Sequence, residues 1–552
     1  MPNETKTELT VRRRLIVVAV AACFVSGPAW SNPTAPQVVN GSASFNQAGN
    51  LLTVTNTPGA IVNWNSFSIA AGETTRFNQA SASSSVLNRV IANDPSVLLG
   101  ALSSNGRVWL VNPAGIMVVQ GARIDVAAFI ASTLNVRNED FLAGRLNFQA
   151  TPNAGKAENF GQITTPSGGS VFLIGSAVTN NGIINAPNGD VILAAGQTVQ
   201  LVDTGTPGVK VDITGAEGNV TNLGQIAAEA GRIGMAGVLV KNSGTLNASG
   251  VVKEGGRIFL KASKELTLDA GSVISANGGR GGDVSIASDA GLTLIGGRIE
   301  AKGDGTVAGN DGGRISIQAD RLISDAAMDA GGAAGGAIAI DANRYIGSGT
   351  LQASGTLGDG GSLSILAHDY MIHTSAESLV ADGGTAGNGG SISVQATQRV
   401  FASANFNAQA SGTGQHGGVV KLLADEVMFY GASVNVSGAG GGGTVLVGGD
   451  YQGMNPAVPN AISTAINYST VLRAEATQSG DGGKVIVWSD QDTKYAGHIS
   501  ARGGAQSGNG GFIEVSGKEN LRFAGTADAG ASNGVAGTLL LDPKNITINA
   551  AA

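Results

Sequence analysis

Four histidines, His368, His373, His416 and His498, are the side chains of this sequence that titrate nearest neutrality, and two of them bound its densest polar stretch, His368-Asp369-Tyr370-Met371-Ile372-His373. A zinc site needs ligands that return to one face, as two histidines at i and i+4 do on a helix. On a strand of period two, His368 and His373 point to opposite sides, so the stretch reads as a solvated face and is assigned no metal or catalytic role. The run Gly278-Gly279-Arg280-Gly281-Gly282-Asp283-Val284-Ser285-Ile286 approaches a calcium-binding nonapeptide. Ser285 stands where an apolar residue is required, however, and the run occurs once, whereas calcium rolls need consecutive copies. The nearest carboxylate groupings are Asn138-Glu139-Asp140, Asp490-Gln491-Asp492 and Asp542-Pro543-Lys544. Each reads as a solvated loop rather than as the facing acid and base of a glycosidase. Paired glycines imitate dinucleotide fingerprints, but no strand-then-helix context follows them. The residues therefore predict no catalytic group, no metal and no cofactor.

Any surface chemistry must be displayed by repeated elements. Glycine fills 85 of 552 positions, against a usual ~7%. The pattern Gly-Gly-x-apolar-x-apolar starts at Gly255, Gly281, Gly312, Gly335, Gly360, Gly389, Gly417, Gly442, Gly482 and Gly510. Successive starts lie 23 to 31 residues apart, except for 40 before Gly482. Upstream, Asn159-Phe160-Gly161, Asn181-Gly182, Asn222-Leu223-Gly224 and Asn242-Ser243-Gly244 recur at about 20 residues, or once at about twice that. Each unit offers a strand of ~5 residues, too short to be stable alone. Stacked copies send Val, Ile and Leu inward and Ser, Thr, Lys and Arg outward, with glycines supplying positive φ at the corners. Such a period suits an all-β, right-handed parallel β-helix, a solenoid of about three strands per coil, rather than the ~40–45-residue blades of a propeller. At ~25 residues per coil and ~4.8 Å per step the rod would measure roughly 100 Å. Asn, Ser and Thr at corners are expected to form side-chain ladders along it.

The formal net charge is −7 and no run of five basic residues occurs, which disfavours nucleic acid as a partner. Residues 1–31 read as a secretory signal peptide: Arg12-Arg13-Arg14, an apolar run over 15–25, and small Ala29 and Ser31 at −3 and −1. Cleavage is expected between Ser31 and Asn32, with Val20-Ala21-Ala22-Cys23, a loose lipoprotein box, as the rival. Lys6, Arg12, Arg13 and Arg14 against Glu4 and Glu8 give the leader +2, so the remainder stands at −9 from −7. Cys23 is the only cysteine, so the mature chain holds no disulfide. After Ser31 no apolar stretch is long enough for a transmembrane helix.

Residues 32 to about 150 lack the double-glycine rhythm and read as a cap over the open end of the stack. Within them stand Asn63-Trp64-Asn65-Ser66-Phe67, Arg76-Phe77-Asn78-Gln79, Leu87-Asn88-Arg89-Val90, Asn105-Gly106-Arg107-Val108-Trp109-Leu110-Val111-Asn112-Pro113-Ala114-Gly115-Ile116 and Ala131-Ser132-Thr133-Leu134. In that order they resemble the haemagglutination-activity domain, the N-terminal secretion domain of filamentous-haemagglutinin-type exoproteins of two-partner secretion. The resemblance runs from about Gln37 to Leu201. The family's Asn-Pro-Asn-Gly tetrapeptide is carried by Asn112, Pro113, Ala114 and Gly115, departing at the third position. Asn-Pro followed by Gly reads as a tight turn between strands over 107–111 and 116–119, and equally as one more corner of a coil.

What the resemblance implies is a route and a class. The partner would be an outer-membrane β-barrel transporter whose periplasmic modules recognise the N-terminal domain of an unfolded chain, leaving the product extracellular or on the surface of a Gram-negative bacterium. A cysteine-free chain of near-neighbour contacts fits threading and coil-by-coil folding. The expected division is a leader over 1–31, a secretion domain over 32–250 and glycine-rich repeats over 251–552. The run from Gly537 to Ile548 also resembles a segment common in such exoproteins, usually followed by more chain, so the sequence reads as a shortened member or a fragment. The expected function is that of an adhesin-like exoprotein with a host-cell or carbohydrate ligand. The alternatives are a polysaccharide-active β-helix enzyme and the delivery stalk of a larger toxin.

Overall fold

A computed structural model describes residues 32–203, 209–250 and 254–544. The predicted leader, with Cys23 and Ser31, lies outside the described residues, as does the run from Asn545 onward.

Alternation in the sequence becomes alternation in space. In the strand Arg257–Leu268, Ile258, Leu260, Ala262, Leu266 and Leu268 are buried, while Lys261, Ser263, Lys264 and Glu265 are exposed. Parallel pairing then stacks like on like. Ile258 lies beside Val284, which lies beside Ile315, Ile338, Leu363 and Ile392 in turn, one per coil. A single apolar core runs inside the stack from Leu52 to Val515. The molecule is a parallel β-helix. A typical coil has three strands, as in Ser391–Ala396, Arg399–Ala402 and Asn405–Asn407.

The glycine pairs work through space rather than through positive φ. None of the paired glycines that open the repeats has a left-handed backbone. Instead, a Cβ on Gly312 would run into the carbonyl oxygen of Ala330, and one on Gly313 into that of Gly282 in the coil below. The corner is drawn so tightly that adjacent coils touch through their backbones.

The cap is smaller than the sequence suggests. At this end antiparallel pairing is confined, among the described residues, to Gln37–Asn40, the hairpin Ala43–Ala48/Leu51–Asn56 and a single bridge between Thr34 and Ser66. From Leu51–Asn56 onward the strands pair parallel, first with Thr74–Asn78 and then with Ala101–Val111. The aromatic residues of the region fill the first coils, where Trp64 packs edge-on against Phe45 and Phe67.

Two excursions leave the stack, and both explain irregular spacing in the sequence. One is a four-stranded antiparallel sheet, Asn135–Val136, Leu146–Gln149, Thr198–Asp203 and Val209–Thr214, with the short helix α1 (Asn138–Leu142). Its last hairpin accounts for the doubled interval before Asn222. The other is a flap of residues 448–461, which fills the 40-residue gap before Gly482. Both cover one continuous outer column. That column reads Ile61, Leu87, Trp109, Ile130, Phe172 and Ile192 near the N-terminal end, passes through Ser285, Ser316, Ala339, Ser364 and Ser393, and ends in Leu446, Ile486 and Glu514. The sheet lies on its first apolar stretch and the flap on its second. Counted along this column the stack is roughly 80 Å long at ~4.8 Å a step, shorter than expected because these residues add no coils.

Candidate functional site

Asn112, Pro113, Ala114 and Gly115, the residues expected to carry the secretion motif, come together as one turn. The strand Ala101–Val111 ends at Asn112, where Pro113 stops further ladder bonding. The Asn112 side chain is fully buried. Its Nδ2 donates to the Asp94 carbonyl and to Ser96 Oγ, both at 2.9 Å, and its Oδ1 accepts from the Ala114 N–H at 2.9 Å. The Gly115 N–H closes the turn on the Asn112 carbonyl at 3.1 Å, and Gly115 has φ +135°. Backbone bonds tie the turn both ways: Ser96 N–H donates to the Gly115 carbonyl and Gly155 N–H to that of Pro113. Ala114 stays outside the left-handed region, so an alanine occupies the third position without strain. Pro113 and Ala114 are partly exposed while Asn112 is hidden. Asn112 thus shapes the turn, and its two neighbours present it.

Beyond the turn, the predicted polar ladder exists, one residue out of register with the quoted motif: the residue in line is Asn180, not Asn181. Asn159 Nδ2 donates to Asn180 Oδ1 at 2.7 Å, Asn180 to Asn222 at 2.8 Å and Asn222 to Asn242 at 2.7 Å, all fully buried. The same inward column continues as Leu268, Ile295, Ser324 and Gly347, so the chain changes from amide to mainly apolar filling after Asn242.

Asn32, the first expected residue of a processed chain, is buried, and its Oδ1 accepts from Thr75 Oγ1 at 2.9 Å. Asn138-Glu139-Asp140 is not a solvated loop but the start of α1. Asp140 is buried, and the guanidiniums of Arg145 at 2.7 Å and Arg137 at 3.0 Å hold its carboxyl below the usual range. Arg89, on a coil strand, donates to Asn138 Oδ1 and to the Val136 carbonyl, pinning the helix to the stack. Sequence reasoning missed this clamp because its members lie some 50 residues apart; the one local signal is Arg-x-x-Asp over 137–140.

His368 is exposed, 2.8 Å from Asp341, and His373 is turned inward, opposite to it. The solvated reading is therefore corrected for His373, which is fully buried with Glu377 and Tyr345. Among the described residues no group of three His, Cys, Asp or Glu is placed to hold a metal ion, and no helix is long and apolar enough to cross a membrane.

A further outer face carries the column Leu294, Ile323, Ile346, Ile372, Phe401 and Met428 beside Arg321, Arg344, Tyr370 and Arg399. Leu294 and Ile323 are 38% and 41% exposed. Arg344 stacks over the Tyr370 ring at 5.4 Å and pairs with Asp369 at 2.7 Å. The face is a ridge of apolar side chains edged by guanidiniums that are already neutralised.

A family model described as the TPS secretion domain matches residues 29–286. A Heme/hemopexin-binding protein of Haemophilus influenzae is 31% identical over 192 residues, which cover 33% of this chain and 21% of that protein. Another protein of that name and species is 39% identical over 74 residues, covering 13% and 8%. The chain thus spans about a fifth, or less, of the length of these curated relatives. The crystal structure of the HMW1 secretion domain from Haemophilus influenzae aligns with 93% of this chain and 100% of its own, at 25% identity and a TM-score of 0.37. Over residues 29–286 the chain thus matches the TPS secretion domain, the export domain of two-partner-secretion exoproteins, which reach the cell surface or the extracellular space.

Proposed function

We propose that the chain is an adhesin-like exoprotein that acts by binding rather than by turnover, exported through an outer-membrane β-barrel transporter whose periplasmic modules recognise the N-terminal coils. The observation that carries the export reading is the match of the secretion-domain family to residues 29–286. Binding is favoured over catalysis by what the outer faces offer. The Leu294–Met428 ridge and the serine-bearing column from Ser285 to Ser393 each run along the outside of several coils, and such extended faces suit a host-cell or carbohydrate partner better than a small substrate, which a concave pocket would hold. The relatives are named as binding proteins. We also propose the division 32–250 for the secretion domain and 251–552 for the displayed rod, which the change of column filling after Asn242 supports.

The test is export with and without a co-expressed partner transporter, using the whole chain, a fragment ending at residue 286, and the Asn112→Ala chain. The expected result is transporter-dependent appearance of the whole chain and the fragment, with less from the variant. Export of the whole chain without any partner would overturn the transporter reading. Adhesion of surface-displayed chain to host cells or glycans, lost in Ile323→Glu/Ile372→Glu, tests the binding reading; unchanged adhesion would remove the ridge from it.

A further inference from the structure

The core of the repeat region admits a few serine and threonine hydroxyls, such as Ser324 and Thr464, and at one place it encloses a larger polar cluster. Tyr345, His373 and Glu377 are each fully enclosed. The Tyr345 hydroxyl donates to Glu377 Oε1 at 2.6 Å, and His373 Nδ1 lies 2.7 Å from Glu377 Oε2. His373 Nε2 lies 3.1 Å from Met371 Sδ, and its ring packs edge-on against Phe406 in the next coil. Glu377 occupies a column otherwise held by small residues: Gly349 stands below it, Ala404 and Ala432 above. Its carboxylate has room only because residue 347 is glycine, since a Cβ there would run into both carboxylate oxygens. Tyr345 and Gly347 belong to one coil, His373 and Glu377 to the next, so the arrangement is satisfied by one pairing of coils alone.

The rest of the repeat region does not discriminate among pairings. Every coil offers a double glycine followed by alternating apolar residues, so a coil could stack on its second neighbour with the intervening one looped out and still bury Ile, Val and Leu. We propose that the Tyr345–His373–Glu377 cluster is a register pin: it makes the correct stacking of these coils the one in which three buried polar groups are paired. In a skipped stacking Glu377 keeps His373 of its own coil but loses the Tyr345 hydroxyl, and where Ser324 takes the place of Gly347 in the column a Cβ runs into its carboxylate oxygens. Losing a buried partner and meeting such a clash are both penalised, whereas the satisfied cluster need add nothing to stability over an apolar filling. Such a pin matters in a chain that winds its coils in sequence as it leaves a pore.

The test uses the full chain with Cys23→Ala and spin labels on Ser285→Cys and Ser393→Cys, four steps apart on the outer column. Tyr345→Phe/His373→Phe/Glu377→Ala nearly conserves volume and copies the filling at Phe429 and Ala432. Refolded from denaturant, the parent is expected to show one label distance. The triple variant is expected to keep its unfolding midpoint but to add a second population shorter by about one coil step, ~4.8 Å. Glu377→Ala alone is expected to lower the midpoint. A triple variant that refolds to the single parental distance would overturn the proposal, and so would a Glu377→Ala chain as stable as the parent. If the triple variant fails to refold, His373→Phe/Glu377→Ala in the same background takes its place under the same criterion.

Discussion

Asn112 and the corner glycines show how much a single side chain, or the lack of one, can decide here. Replacing Asn112 with alanine removes two donated bonds and the one that sets the turn, leaving the Asp94 carbonyl and the Ala114 N–H without their partner. Each such loss costs about 1–3 kcal/mol when buried, so Asn112→Ala is expected to lower the thermal midpoint of a secretion-domain fragment by several degrees. Ala114→Asn, which restores the family tetrapeptide at a partly exposed position, is expected to fold as the parent does; a drop comparable to that of Asn112→Ala would mean that the third position is packed. The glycines make a sharper pair. Gly313→Ala drives a Cβ into the Gly282 carbonyl of the coil below, and backbone cannot yield as a side chain does, so a loss of at least ~1–3 kcal/mol is expected. Gly271 has nothing within 4 Å of its Cβ position and no positive φ. Gly271→Ala is therefore expected to be neutral, or stabilising by ~0.4–1 kcal/mol, as read by denaturant unfolding.

Among the elements, the asparagine ladder and the flap behave differently because one is sealed and the other rimmed by water. Asn180→Leu orphans the Asn159 donor and the Asn222 acceptor together, and is expected to cost roughly 2–6 kcal/mol in chemical denaturation; a loss below ~0.5 kcal/mol would show that the ladder is ornamental. The flap is clipped by Asp450, whose carboxylate meets Lys484 Nζ at 2.7 Å and Asn455 Nδ2 at 2.8 Å. Burial opposes ionisation of Asp450, but the hydrogen bonds from Asn455, Lys484 and the Tyr451 N–H outweigh it and hold its pKa at about 2. A depressed carboxylate stabilises above its unfolded value of ~3.9 and loses that contribution as pH falls toward the folded value. The flap is thus expected to loosen between pH ~4 and ~2, seen as a red shift from Trp488, which it keeps 4% exposed. Asp450→Asn should abolish that pH step, and a step that persists would assign it to another group.

At the scale of the whole molecule, one outer column decides where the rod must be covered and where it is bare. Trp109, Phe172 and their neighbours need the four-stranded sheet, and Leu423, Leu446, Ile486 and Trp488 need the flap; the serines between them need nothing. Deleting residues 449–460 with a short glycine linker in their place would expose a patch of large apolar side chains on a regular sheet, and such patches drive association. Concentration-dependent assembly in sedimentation is the expected outcome, against a parent that shows none at the same concentrations. A deleted chain that sediments as the parent does would mean that the flap serves some purpose other than covering.

The sequence by itself determined the architecture and carried the resemblance to a secretion domain. Period-two alternation behind each double glycine has one economical solution, a stack of short parallel strands, and the ordered motifs around Asn112 lie within the residues that the TPS secretion-domain model matches. It also marked the excursions, without describing them, as intervals that were too long. Tertiary structure alone decided why the glycines are glycines, because the clash they avoid is with the neighbouring coil and no local pattern contains it. It alone decided that the region before residue 150 is mostly coil, that Arg89 pins the helix carrying Asp140 to the stack, and that His373 is a core residue. The physical reason is common to these cases: whether a polar side chain on a strand is solvated or enclosed depends on what the coils above and below bring to it, and here those partners lie about 20 to 50 residues away.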